Sequence, residues 1–261
     1  MPDPPLSSLG ILQAEILKSH LSNKQREPGY VPISAVYTSA MVRALHTTVV
    51  ISPPGVTPTL WTDIHEVGGI WEYDPKTQMD LGYPGIFSKE ILANFPQVNL
   101  QMQQDSSAVT EIGWYKKKFR ESKEEAIVRA RSVIQKLMEI AVQVYDETVD
   151  SGDNTSPKSA MAGSFNQSKA SLEQSSHSAR GIMLVTHGDF LELLLCELLF
   201  GSKNDERVEF CFNNASNTVV DLIVTKKKGG GRVITPRLIR LNDVSHFATT
   251  NPECITGGPV V

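Results

Sequence analysis

"LVTHGDFLELLLCELLFG", residues 184–201, sets a histidine and a glycine between an apolar strand-like run and an apolar helix-like run. The first half extends back through "GIMLVTH" (181–187), whose apolar residues are continuous instead of alternating, a pattern that predicts a strand buried on both faces. The second half repeats leucines at helical spacing from near Gly188 and predicts a helix. His187 therefore falls where a strand hands over to a helix. In open α/β sheets, ligands gather beyond the carboxyl ends of strands, where helix N-termini present free N–H groups and partial positive charge. An imidazole in that place can hydrogen-bond a phosphoryl oxygen and, if protonated, stabilise its charge. Taken alone, "THGD" is a weak signal, because a His-Gly pair after a strand is also an ordinary turn.

Outward from this junction, segments alternate in type. Residues 8–21, "SLGILQAEILKSHL", place Leu9, Leu12, Ile16 and Leu21 at helical spacing, with Ser7 or Ser8 available as N-cap. "ISAVYTS" (33–39) predicts a short strand, and "AMVRALHTTVVIS" (40–52) a second helix that Pro53-Pro54-Gly55 stops. Ser122 and Glu125 form a capping-box pattern ahead of "AIVRARSVIQKLMEIAVQVY" (126–145), where Ile127, Ala130, Ile134, Leu137, Ala141 and Val144 share a face. "NTVVDLIVTKKKGGGRVITPRLIRLND" (217–243) gives two β-rich runs around a glycine-rich loop at 226–232, a hairpin. Helices alternating with strands predict an α/β layer fold with a largely parallel sheet and an antiparallel edge hairpin. One domain spans residues 1–248 on this reading. Residues 150–180, rich in Ser, Asn and Gly, predict a disordered insertion, and residues 249–261 a frayed tail.

Composition narrows the function classes. The 261 residues carry 25 basic and 29 acidic side chains, a net charge of -4, so no global positive field draws nucleic acid or an acidic membrane. Cys196, Cys211 and Cys254 are odd in number and lack metal-ligand spacing. They predict no disulfide framework, no metal and a reducing compartment. No stretch approaches eighteen uninterrupted apolar residues, and "MPDPPLSSLG" has no signal-peptide pattern, so a soluble, cytoplasmic protein is expected.

Two further segments carry chemistry. In "YTSAMVRALHTT" (37–48), Ser39 can cap the helix and Arg43 lies in its first turn, where a guanidinium can grip phosphate bidentately. In "DIHEVGGIWEYD" (63–74), Glu66 precedes a glycine pair in a loop, and a partly buried carboxyl there can protonate a leaving alkoxide. Each residue alone has a plainer reading, as a solvated helix arginine or a loop carboxylate.

Together these segments resemble the histidine phosphatase superfamily, the phosphoglycerate mutase-like proteins. "DPPLSSLGILQAEIL", "YTSAMVRALHT", "EVGGIWE", "LVTHGDFLELLL" and "FNNASNTVVDL" follow one another in the order of the family's first helix, Ser-x-x-x-Arg-Ala-x-x-Thr segment, acidic loop, second catalytic histidine and following strand. The resemblance implies a three-layer α/β fold with a mostly parallel sheet. It also implies that Arg43 and His187 bind the phosphoryl group of a small phosphorylated substrate, that Glu66 is the proton donor, and that no cofactor or metal is needed.

The family's nucleophile is a histidine in an Arg-His-Gly triplet on a first central strand, and none of the six histidines here stands in that context. His65 is the least implausible substitute. Without the nucleophile, no phosphohistidine forms by the family route, and without the strand, buried backbone groups beside "GIMLVTH" lack partners. The expectation is an N-terminally incomplete version of a phosphomonoesterase or phosphotransferase, impaired as it stands. A non-catalytic phosphate-ligand or protein-binding module on the same fold is the alternative. An unrelated enzyme using His187 as base would need a nucleophile, and "THGD" offers only Thr186. "GWYKKKFRES" (113–122) offers either a positive rim for polyanions or solvated lysines, while Trp61, Trp71 and Trp114 offer a pocket lining or core packing.

Overall fold

Ser7 accepts a hydrogen bond from the Gly10 N–H and starts helix α1 (Ser8–Lys24) as the sequence predicts. A computed structural model of the chain describes residues 2–100, 111–150, 179–201, 208–227, 229–248 and 251–257. After α1 come β1 (Ile33–Thr38), α2 (Val42–Ile51), β2 (Thr59–Leu60), the hairpin β3 (Trp71–Asp74) and β4 (Met79–Gly82), α3 (Ser88–Asn94) and α4 (Lys123–Asp150). The chain continues with β5 (Gly181–Val185), α5 (Gly188–Leu199), β6 (Asn217–Lys226), β7 (Arg232–Asp243) and the single turn α6 (Ser245–Ala248). The capping box of α4 forms, with Ser122 N–H donating to Glu125 and Glu125 N–H to the Ser122 hydroxyl. The expected insertion lies, apart from its two ends, outside the described residues.

Three parallel strands in the order β2-β1-β5 make the sheet. One face is covered by α1 and α2, where Ala14, Leu17, Ala44 and Ile51 pack with Val185. On the other, Leu184 and Tyr37 pack against α4 and α5 through Ala130, Val133, Phe190 and Leu194. Alternate residues of β5 thus enter opposite clusters, which gives the mixed α/β fold its three layers.

Two expectations need correction. The β6–β7 hairpin is a two-stranded sheet of its own and not the edge of the parallel one. In β5, covered on both faces, only Val185 is buried outright and the other four residues are partly buried. The cause is the strand's position: β5 pairs with β1 along one edge and, among the described residues, with no strand along the other. The segment expected to fray makes contacts where it is described. Cys254 is wholly buried, its carbonyl accepts from Gln13, and the Thr256 carbonyl accepts from the Asn214 N–H.

That C-terminal region meets α1 through His20 and His246, whose rings lie 5.1 Å apart. Burial lowers both imidazoles; Lys24 and Arg240 add to this at His20, and His20 adds to it at His246, while Asp243 acts in the opposite sense on each. Each ring thus binds its proton less tightly folded than unfolded, so stability falls as pH drops below the unfolded value of about 6.5. Urea unfolding should show a lower midpoint near pH 5.5 than near pH 7.5. The difference should shrink when His20 and His246 are both replaced by Gln.

Candidate active site

The parallel pairing of β1 with β5 sets Thr38 opposite Val185 and brings both carboxyl ends to one level. Just beyond, the Ser39 N–H donates to the Val185 carbonyl at 3.0 Å. His187 is the N-cap of α5, with extended backbone and 8% exposure. Its Nε2 lies 2.9 Å from the Ser39 Oγ. The starts of α2 and α5 are joined by that contact.

Ser39 does not cap α2 as expected. The N-cap is Met41, which offers no side-chain hydrogen bond, and Ser39 Oγ instead accepts from the Met41 N–H. The first N–H of the helix, that of Val42, is taken by Asp3, both of whose carboxylate oxygens lie 3.2 Å away. Arg43 is the next residue, and its Nη1 stands 3.9 Å from Asp3 Oδ1.

Glu66 reaches the other helix. Its Oε1 accepts from the Val67 N–H at 2.9 Å and from the Phe190 N–H at 3.0 Å, satisfying a free donor in the first turn of α5. Burial, assisted by Asp189, raises its pKa despite those two bonds and the charge of Arg43. The loop that holds it turns back through a bond from the Gly69 N–H to the Glu66 carbonyl. Gly69 has φ of +69°, and a Cβ there would fall 2.1 Å from the Tyr115 ring. Only glycine meets both demands. Burial and Glu121 push the Tyr115 hydroxyl up to about 12. It stays protonated and lies within hydrogen-bond distance of the Gly68 and Phe119 carbonyls.

His187 itself is held well below the usual imidazole value, first by burial and then by the charges of Arg43, His65 and Arg129. His187 is neutral and can form a hydrogen bond, while the positive charge comes from Arg43. His65 is also buried and lowered by burial. Its Nδ1 lies 2.6 Å from the Thr62 carbonyl and its ring is packed by Trp114 and Tyr115.

Two groups of great consequence carry no sequence signature. Arg129 of α4, 10% exposed in its side chain, forms a two-pronged pair with Glu121, 1% exposed. It donates as well to the Asp63 and His65 carbonyls at 2.7 and 2.9 Å and stacks 4.3 Å from the Phe190 ring. Burial acts to raise the Glu121 carboxyl, but the adjoining His65 ring and the guanidinium outweigh it and hold it well below the carboxylate range. His65 Nε2 is 3.6 Å from Glu121, too long for a hydrogen bond.

The lysine-rich segment takes its plainer reading. Lys117 pairs with Glu121 and Glu125, Arg120 with Asp80 and the Trp71 face, and Lys118 lies over Phe119. Trp61 and Trp114 are core residues. Among the described residues, no group of three or more His, Cys, Asp or Glu is placed to hold a metal ion, and no helix is long and apolar enough to cross a membrane.

With this geometry in place, comparison with known proteins gives the family. The sequence model of the histidine phosphatase superfamily (branch 1) matches residues 1–143, over half of the 261. The chain belongs to that superfamily. The matched stretch contains Asp3, Arg43 and Glu66 but ends before His187, which the β1–β5 pairing brings beside them. Among solved structures, the chain is similar to a mycobacterial glucosyl-3-phosphoglycerate phosphatase in complex with inorganic phosphate, 19% identical over 94% of this chain and 90% of that one, with a TM-score of 0.45. It is also similar to the ecdysone phosphate phosphatase of Bombix mori in complex with tungstate, 14% identical over 80% of this chain and 61% of that one, again with a TM-score of 0.45. None of the curated proteins compared with the chain matches it.

Arg129 ties α4, the loop before Glu66 and α5 together, and its loss leaves the buried Glu121 carboxylate with only the more exposed Lys117, 3.5 Å away, as a cationic partner. Arg129→Met should cost about 3 kcal/mol or more of folding stability, measured by urea unfolding against the unsubstituted chain.

Proposed function

We propose that the chain binds the phosphoryl group of a small phosphorylated molecule, with Arg43 and His187 as ligands and Glu66 as the proton donor to a leaving alkoxide. The observation that carries this reading is the 2.9 Å contact between His187 and Ser39, which joins the helix start bearing Arg43 to the one that Glu66 caps. Arg43 supplies charge and paired donors. Neutral His187 adds a hydrogen bond without repelling the arginine. Glu66 sits where burial keeps a proton available nearer neutrality than an ordinary carboxylate does.

Phosphomonoester hydrolysis or phosphoryl transfer would then run through a phosphohistidine, for which these 261 residues hold no Arg-His-Gly triplet. We therefore propose that the chain by itself is impaired in turnover while retaining the anion site. A non-catalytic phosphate-binding module is the second reading, favoured by the same missing triplet. An aryl phosphate assay separates them when run on this chain and on one extended at the N-terminus by a strand carrying Arg-His-Gly. Activity in the extended chain alone is the expected result, and activity in neither selects the binding module. In the active form, Glu66→Gln keeps an oxygen for Val67 and Phe190 but loses the proton, and should lower kcat about a hundredfold or more. Calorimetry of the chain with tungstate tests the anion site directly: Arg43→Ala should weaken binding at least about tenfold, and an unchanged affinity would refute the assignment.

A further inference from the structure

The Arg43 site already contains a negative charge of its own. Asp3, whose side chain is 9% exposed, lies within hydrogen-bond distance of the Val42 N–H and 3.9 Å from the Arg43 guanidinium. Those are the two kinds of group an incoming phosphate would use. Glu66 likewise holds the Phe190 N–H at the start of α5, with Asp189 in the same turn. The charges acting on this corner can be enumerated. Arg43, His65 and Arg129 are the groups acting on His187; Arg129 is matched by its two-pronged pair with Glu121, and His65 stands 3.6 Å from the same carboxylate. His65 and His187 are neutral. Arg43 thus stands against three carboxyl groups, those of Asp3, Glu66 and Asp189, and Asp3 approaches it as an ion pair.

Resting on the anion site proposed above, we infer that Asp3 is a specificity-determining residue: its carboxylate offsets the charge of Arg43, so that the site takes a singly charged tetrahedral oxyanion in preference to a doubly charged one. The ligand class follows as a phosphoryl group in its monoanionic form, either a protonated monoester or a diester. A dianion would bring a second negative charge next to a corner whose guanidinium is already shared with Asp3. Burial holds the Asp3 carboxyl above its usual value in spite of Val42 and Arg43. A dianion beside Asp3 favours the protonated form of that carboxyl, so its affinity should rise as pH falls.

Perrhenate and tungstate, tetrahedral oxyanions with one and two negative charges, make the comparison at a single near-neutral pH by calorimetry. Asp3→Asn leaves an oxygen to accept from the Val42 N–H, so α2 stays capped while the charge beside Arg43 goes. In this variant the affinity ratio of tungstate to perrhenate should rise about five- to tenfold over the unsubstituted chain. A ratio that stays the same or falls overturns the inference, since a purely capping Asp3 would leave it unmoved. Arg43→Ala is the companion variant. Binding that needs Arg43 but keeps its ratio in Asp3→Asn removes only the role of Asp3, whereas absent binding, or binding indifferent to Arg43, removes the site and the inference together.

Discussion

The parallel pairing of β1 with β5 is the constraint on which everything functional in this chain rests. With Thr38 opposite Val185, two strand ends stop level, and the helices that follow begin side by side. Residues 39 and 187, far apart in the chain, are thereby brought within 2.9 Å. No local propensity could do this. The helices packed on the two faces through Val185 and Leu184 keep the register in place, because a slip of one residue would exchange the two clusters.

The electrostatics of the site follow from its position at that edge. Two helix starts there leave backbone donors free, and the chain fills them with its own carboxylates, Asp3 on α2 and Glu66 on α5. The same enclosure that raises these carboxyls lowers the neighbouring imidazoles. The result is a corner in which one guanidinium supplies the positive charge and the histidine contributes direction only. Neutrality of His187 is a product of Arg43 and burial acting together, so the two candidate phosphate ligands are electrostatically dependent on each other.

Much of this was legible in the sequence wherever the information was local. The strand-to-helix junction at His187, the first-turn position of Arg43, the Ser122–Glu125 capping box and the stop at Pro53-Pro54-Gly55 all declare themselves within a few residues. What could not be read depends on distance along the chain. Asp3 caps a helix 39 positions away, and Arg129 grips carbonyls 64 and 66 positions away. Such contacts have no periodicity to betray them. The hairpin β6–β7 was recognisable by its glycine-rich loop, but its separation from the parallel sheet was not, since alternation within a strand says nothing about which neighbour it finds. In the sequence the glycine pair at 68 and 69 is marked only by its proximity to Glu66, whereas the necessity of Gly69 comes from Tyr115, 46 residues on.

The Arg129 guanidinium lies where α4, α5 and the loop before Glu66 meet. One planar group holds Glu121, two carbonyls of the 61–66 segment and the ring of Phe190, whose own N–H is held by Glu66. Glu66 is therefore braced from behind by the α4–α5 interface. On its Glu66 side this edge of the sheet is thus anchored in the helix layer formed by α4 and α5, through Phe190 and the carbonyls of Asp63 and His65.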